Sequence, residues 1–273
     1  MKNMKAQIVL TPSESKRLIA KAIVKLEDFK KAFDSGLIIL SRSTTAAFII
    51  EELYNTLVDK EKYACGIVTP YGTCETDPRF RIKKPIIIEK GELSGQASFI
   101  DTLKRMDNAD VFVKSGNAID PWGNAGVFIG DLHGGEIGVA LNFIVKKNIK
   151  LIIPVGLEKS IPISITDAAM ASSLKTEYSM GMPVKLLPLP GRVITEKEAI
   201  EILANNRVKV TPIGAGGVAG AEGSVVLIID GEKEGVQMAF QAVKKVKGER
   251  PLWPLKMHCS RCIHSETCTS RDK

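Results

Sequence analysis

Long apolar runs are missing from this chain. None reaches the roughly 18 consecutive residues that a membrane-spanning helix needs. The first residues, charged and then strand-like, lack the apolar h-region of a secretory signal, so the expectation is a cytoplasmic protein without a membrane partner. Aromatic side chains are scarce as well, at 5%. No basic stripe is interleaved with stacking rings, which argues against a polynucleotide groove as the main function. A formal charge of +7 does not overturn this, because eight Lys or Arg against three Asp or Glu fall between Lys244 and Lys273, and the body is near neutral. Cysteine is sparse and unevenly placed: of five, three crowd the C-terminus, which makes no secreted disulfide framework. Reduced thiols are expected.

What is present describes an ordinary globular chain. Its 273 residues are 44% hydrophobic and 25% charged, enough for one large or two smaller cores. The most informative stretch runs from Leu37 to Leu53, where an apolar strand passes through Ser41-Arg42-Ser43-Thr44-Thr45 straight into a helix. Backbone N–H groups at a helix start are unpaired and sit at the positive end of the helix dipole. With their hydroxyls, Ser43, Thr44 and Thr45 are candidates to wrap a phosphate. The plainer reading is an ordinary helix cap.

Helix and strand signals alternate along the chain. Thr11-Pro12-Ser13-Glu14 reads as a helix start, followed by Leu18, Ile19, Ala22, Ile23 and Leu26 at helical spacing. Apolar strands are expected at 64–69, 85–89, 110–114 and 150–155, and helices at 95–106 and 138–145. Strands so apolar, alternating with helices, mean an α/β fold whose mostly parallel sheet is covered by helices on both faces. Past Pro188-Leu189-Pro190-Gly191 the pattern is strand or turn, helix 195–203, strand 208–213, glycine-rich loop, strand 224–229, helix 234–246. That β-α-β-β-α order suits a small ferredoxin-like sandwich. The expected division is 1–190, 191–248 and a basic, Cys-rich tail, 249–273.

The tail, His258-Cys259-Ser-Arg-Cys262-Ile-His264-Ser-Glu-Thr-Cys268, is dense in metal ligands. Two thiolates at Cys-x2-Cys can reach one tetrahedral ion, and Cys268 with His258 or His264 could complete a Cys3His zinc site. Three cysteines could instead hold an iron–sulfur cluster with one open iron. The plain alternative is a basic end with incidental cysteines.

Residues 14–53 resemble the N-terminal region of ribose-5-phosphate isomerase A in their order of helix, apolar strand, small-residue turn and helix. Thr44 and Thr45 match its Ser-Thr pair, while Ser41 and Ser43 stand where that family has glycine. A second stretch, Asp110 to Asn124, resembles the segment that carries the isomerase's acidic catalytic residues. Its end, Asp120-Pro121 through Gly123-Asn124, resembles the Asp-Pro-x-Gly-Asn of family I CoA-transferases. The resemblance implies the NagB/RpiA/CoA-transferase-like fold for residues 1–190. Gly214 to Ser224 and the strand after it resemble the glycine loop and last strand of bacterial microcompartment shell domains, at the level of fold only.

The departures from the isomerase are chemical. Lys114 and Asn117 stand where it has paired aspartates, and neither is a carboxylate base for moving a proton between adjacent carbons. Ordinary ribose 5-phosphate isomerisation is therefore not expected. The resemblance leaves Lys114 to neutralise an oxyanion, Asn117 to orient a hydroxyl, and Asp131, His133 or Glu136, in the glycine loop 130–138, to handle protons. Three functions stay open: an enzyme on a small phosphorylated metabolite, a CoA-transferase or CoA-ester hydrolase using Glu136 or Glu158 as nucleophile, and a non-catalytic metabolite sensor. A homo-oligomer is expected in each case.

Overall fold

The computed structural model describes residues 3–262, 264, 268 and 269. In chain order the elements are β1 (Asn3–Leu10), α1 (Pro12–Ile23), α2 (Glu27–Ser35), β2 (Leu37–Leu40), α3 (Thr44–Tyr54), the hairpin β3 (Gly66–Thr69) and β4 (Gly72–Glu75), β5 (Ile86–Glu89), β6 (Glu92–Leu93) and α4 (Phe99–Arg105). There follow β7 (Val111–Val113), β8 (Ala118–Ile119), β9 (Ala125–Ile129), α5 (Gly135–Lys147), β10 (Lys150–Pro154), α6 (Ile165–Ser173), β11 (Lys185–Leu189), β12 (Arg192–Ile194), α7 (Glu196–Leu203), β13 (Val208–Gly216), β14 (Ser224–Glu232) and α8 (Lys233–Lys244). No helix among the described residues is long and apolar enough to cross a membrane.

A six-stranded sheet in the order β12-β10-β7-β2-β5-β6 forms the centre. Its strands β12, β10, β7 and β2 are parallel, and β5 and β6 close one edge antiparallel. The mixed α/β class with a mostly parallel sheet is as expected. The apolar runs make the strands central because side chains alternate to opposite faces, and here both faces are buried. Ile38, Leu40, Val111, Val113, Ile152 and Ile194 share one core with residues of α1, α2, α3, α7 and α8. Leu37, Ile39, Phe112, Leu151 and Ile153 share the other with α4, α5 and the small sheet β11-β9-β8.

The helix starts follow their caps. Thr11 and Glu14 form a reciprocal capping box on α1, with Thr11 N–H donating to Glu14 Oε2 at 2.9 Å and Pro12 in the first turn. Thr195 and Glu198 do the same for α7.

The C-terminal region departs from the expected sandwich in two ways. Strand β12 leaves it, pairing in parallel with β10 from Ile152↔Arg192 to Pro154↔Ile194. In its place β1 pairs antiparallel with β14 over eight positions, from Asn3↔Glu232 to Leu10↔Val225, giving the sheet β1-β14-β13. The unit built around residues 191–248 thus borrows the N-terminal strand and gives its own first strand to the central sheet. One continuous core joins Ile8 and Leu10 to Val225, Leu227 and Ile229 and onward to the central sheet. Of the tail, residues 263, 265–267 and 270–273 lie outside the described residues. Its first part runs beside β4, with Asp77 N–H donating to Leu255 O at 2.8 Å and Met257 N–H to Glu75 O at 3.1 Å.

Candidate functional site

A cavity of about 970 Å³ opens where the parallel strands end. Three strand ends supply one wall each: Arg42 to Thr45 after β2, Lys114 to Asn117 after β7, and Glu158 with Lys159 after β10. The hairpin β3-β4, the start of α5 and the tail segment Leu252–Leu255 close it. The carboxyl ends of parallel strands are where open α/β sheets gather ligands, because each strand hands over to a loop there.

Ser43 is the N-cap of α3: its Oγ accepts from Ala46 N–H at 3.1 Å and from the Ser115 hydroxyl at 2.9 Å. The N–H groups of Thr44 and Thr45, in the first turn, have no carbonyl within the helix to bond. Ser43, Thr44 and Thr45 all line the cavity.

Glu136, in the first turn of α5, reaches across to the same turn. Its Oε2 accepts from the Ser41 hydroxyl at 2.6 Å and from Arg42 N–H at 2.9 Å, and its Oε1 accepts from Arg42 Nε. Both carboxylate oxygens are engaged, which leaves Glu136 ill-suited to act as a nucleophile. Lys114 Nζ donates to Ser41 Oγ at 3.2 Å. Burial pushes the Lys114 pKa down, Arg42 adds to this, and Glu136 with Cys65 pulls the other way. Burial also works against the Arg42 charge, and Glu136 more than compensates, so the Arg42 pKa is raised.

The remaining expected residues are divided. Asn117 lines the cavity and fastens its own wall, its Oδ1 accepting from Phe128 N–H at 3.0 Å. Asp131 lies at the rim and is exposed; it accepts from His133 N–H at 2.8 Å and Gly135 N–H at 3.4 Å, shaping the left-handed turn at Gly134 and Gly135 that opens α5. His133 is exposed and is not part of the lining. Asp120, in the segment that resembles the transferase motif, is buried and holds a turn, accepting from Trp122, Asn124 and Ile165 N–H.

The tail ligands are engaged separately. Lys256 Nζ donates to Cys259 Sγ at 3.3 Å, Gly181 N–H to Cys268 Sγ at 3.2 Å, and His258 Nδ1 pairs with Ser260 Oγ at 2.8 Å. Cys262 N–H bonds Cys259 O, and His264 reaches the cavity lining. Among the described residues no three His, Cys, Asp or Glu side chains converge as a metal site.

A second charged cluster lines the cavity after β10. Glu158 lines the cavity with Oε1 3.6 Å from Lys16 Nζ, and Lys159 Nζ donates to Gly116 O at 2.9 Å. Glu158 Oε2 is shut from solvent with no hydrogen-bond partner among the described residues. It packs over Gly156, where an added Cβ would come within 1.7 Å of it, so a side chain there would displace this carboxylate from its present position. Behind it lies Glu196, wholly buried, its Oε2 accepting from Leu157 N–H at 2.9 Å and its Oε1 unpartnered. Burial, and then the Glu158 charge, push the Glu196 pKa up to about 7, against the pull of the Ser15 hydroxyl and backbone N–H groups. Burial likewise lowers the Lys159 pKa, countered by Glu158.

Sequence reasoning named Glu158 only as a second nucleophile and missed Lys16, Arg42, Lys159 and Glu196. Arg42, Glu158 and Lys159 each follow a buried strand by a few residues, and that position was the available signal. Glu196 gave none, since an acid in a first helical turn is ordinary; its burial comes from α1 packing on α7. In comparisons with models of protein families, with curated proteins and with solved structures, the chain matches none.

Proposed function

We propose that the cavity binds a small phosphorylated metabolite and that the protein is an enzyme of proton transfer on it, of the sugar-phosphate isomerase kind. The observation that carries this reading is the convergence of the hydroxyl turn, Lys114 and the Glu158 carboxylate, from three parallel strand ends, on one cavity. The phosphate lies on the Thr44 and Thr45 N–H groups, Lys114 faces the anion, and Glu158 is the base. Glu158 takes the proton-handling role in preference to Asp131 and His133, which sit at or beyond the rim.

Thermal unfolding against a panel of sugar phosphates, nucleotides and CoA esters tests it. A ligand at ~100 times its Kd stabilises by ~2.7 kcal/mol. The expected result is a shift with sugar phosphates that Lys114→Gln abolishes while near-UV circular dichroism stays native. No shift across the panel removes the phosphate reading.

One observation favours a second reading. Glu158 meets the cavity without a short hydrogen bond to either oxygen, as a carboxylate nucleophile toward a CoA thioester does before attack. A shift with CoA esters alone, together with a covalent glutamyl thioester at residue 158 in the mass spectrum, marks that chemistry.

A further inference from the structure

Among the described residues four Lys or Arg side chains line the cavity, and two of them are paired with acids: Arg42 with Glu136, and Lys16 with Glu158 at 3.6 Å. Lys114 and Lys159 form no ion pair among the described residues; their Nζ atoms donate to neutral oxygens, Ser41 Oγ at 3.2 Å and Gly116 O at 2.9 Å. The other acids of the lining are engaged elsewhere, Glu61 with Arg250, Glu75 with Arg81, and Asp131 with the N–H groups of its own loop. Burial works against both lysine charges, and an anion set beside each offsets that cost. We propose that the cavity takes a metabolite that is anionic at both ends, its phosphate held by the hydroxyl turn with Lys114 and a second anionic group, phosphate or carboxylate, held by Lys159.

The backbone keeps the two lysines on different sides of β7. Ser41 continues β2, its N–H donating to Val113 O at 3.0 Å, whereas Gly116 lies toward β10, its N–H donating to Pro154 O at 3.0 Å. In the order β10-β7-β2 the Lys114 ammonium, on Ser41, is therefore on the β2 side, and the Lys159 ammonium, on Gly116, is on the β10 side. Neighbouring strands are about 4.8 Å apart, which separates the two charges by roughly 5–10 Å. A single phosphate on the hydroxyl turn reaches the first and leaves the second unmet. The cavity of about 970 Å³ stands near the top of the roughly 300–1,000 Å³ range of ligand pockets, with room for two anionic groups and the carbon chain between them. The Glu158 charge is met by Lys16, which leaves the Lys159 charge for the ligand. The phosphate end of this inference rests on the proposed function; the second anion rests on Lys159 and its place in the cavity.

Isothermal titration calorimetry on the full chain tests this with fructose 6-phosphate against fructose 1,6-bisphosphate, sorbitol 6-phosphate against 6-phosphogluconate, and glucarate, which has two carboxylates and no phosphate. The expected result is a Kd about tenfold or more tighter for the doubly anionic member of at least one pair, and the pair that responds tells a second phosphate from a carboxylate. Lys159→Gln erases that preference and leaves the monophosphate Kd within about twofold, Lys159→Arg keeps the preference, and Lys114→Gln weakens both members. Equal affinity within both pairs overturns the proposal, and so does a preference that survives Lys159→Gln with near-UV circular dichroism still native. The wild-type comparison needs no variant, so a variant that fails to fold leaves that readout in place. Monophosphates that bind with no gain from a second anion sink this inference alone; glucarate that binds where the monophosphates do not sinks the phosphate reading alone. No binding of any of the five overturns both.

Discussion

Glu196 makes the stability of this protein depend on pH in an unusual direction. Its folded pKa of about 7 stands above the ordinary carboxylate value of 4.5. Between those values the folded chain keeps a proton that the unfolded chain has released. Its contribution is therefore full below about pH 4.5 and is lost as pH rises through the folded pKa, a change of about 3 kcal/mol. Glu14, Glu51 and Glu61 act oppositely: each has a lowered pKa, with Lys247, Lys60 and Arg250 among the causes. Their contribution is present above the ordinary carboxylate range and is lost as pH falls through their folded values. Stability is expected to peak near pH 5, earlier than the usual 5–8 plateau would end. Urea midpoints at pH 5.5 and 8.5 check this: wild type loses stability toward pH 8.5, and Glu196→Gln loses little. A wild-type midpoint that rises with pH over this interval contradicts the assignment.

At the scale of elements, α3 concentrates the question of cap against ligand. Ser43 Oγ already accepts from Ala46 N–H and from Ser115, so its hydroxyl oxygen is committed to the fold. Ser43→Ala should cost about 1 kcal/mol in urea denaturation. The same variant should keep the sugar-phosphate shift that Lys114→Gln abolishes, because the Thr44 and Thr45 N–H groups do not depend on that side chain. Loss of the shift in Ser43→Ala would instead make the hydroxyl a ligand donor. The helices α1, α3 and α7 were readable because their caps and apolar spacing are local, and α8, which has no side-chain cap, by its spacing alone. The glycine loop before α5 showed where its acids lie along the chain but not which of them face inward. That depends on Arg42, 94 residues away in sequence, pairing with Glu136. The three-residue strand β12 was misplaced for a related reason: so short an apolar run carries no information about which sheet it joins, and its register with β10 is set by the tertiary packing.

Across the whole molecule, the chain ends are tied to each other and to the centre. Residue 3 pairs with residue 232, a contact that no local signal encodes. Arg17 on α1 joins Glu51 and Glu52 of α3 to Glu249 at the start of the tail, and Lys60 joins Glu51 as well. These ties bear on whether residues 191–248 can stand alone. Excised, that segment keeps β13, β14, α7 and α8 but loses β1, exposing the edge of β14 whose partners are Ala6, Ile8 and Leu10. It also carries β12 with no β10 to pair, and the apolar faces of α7 and α8 lose the α1 and β1 residues that cover them. A unit of that size is marginal even with its core complete. The peptide 191–248 is therefore expected to be largely unfolded, with narrow amide dispersion and no cooperative urea transition. The full chain, with one core running from β1 through the central sheet to α8, should unfold in a single transition seen alike by far-UV and near-UV circular dichroism. Two separated transitions in the full chain, or a cooperative transition in the peptide, would mean that β13 and β14 with their helices suffice, and that β1 is an addition to an autonomous domain rather than its missing strand.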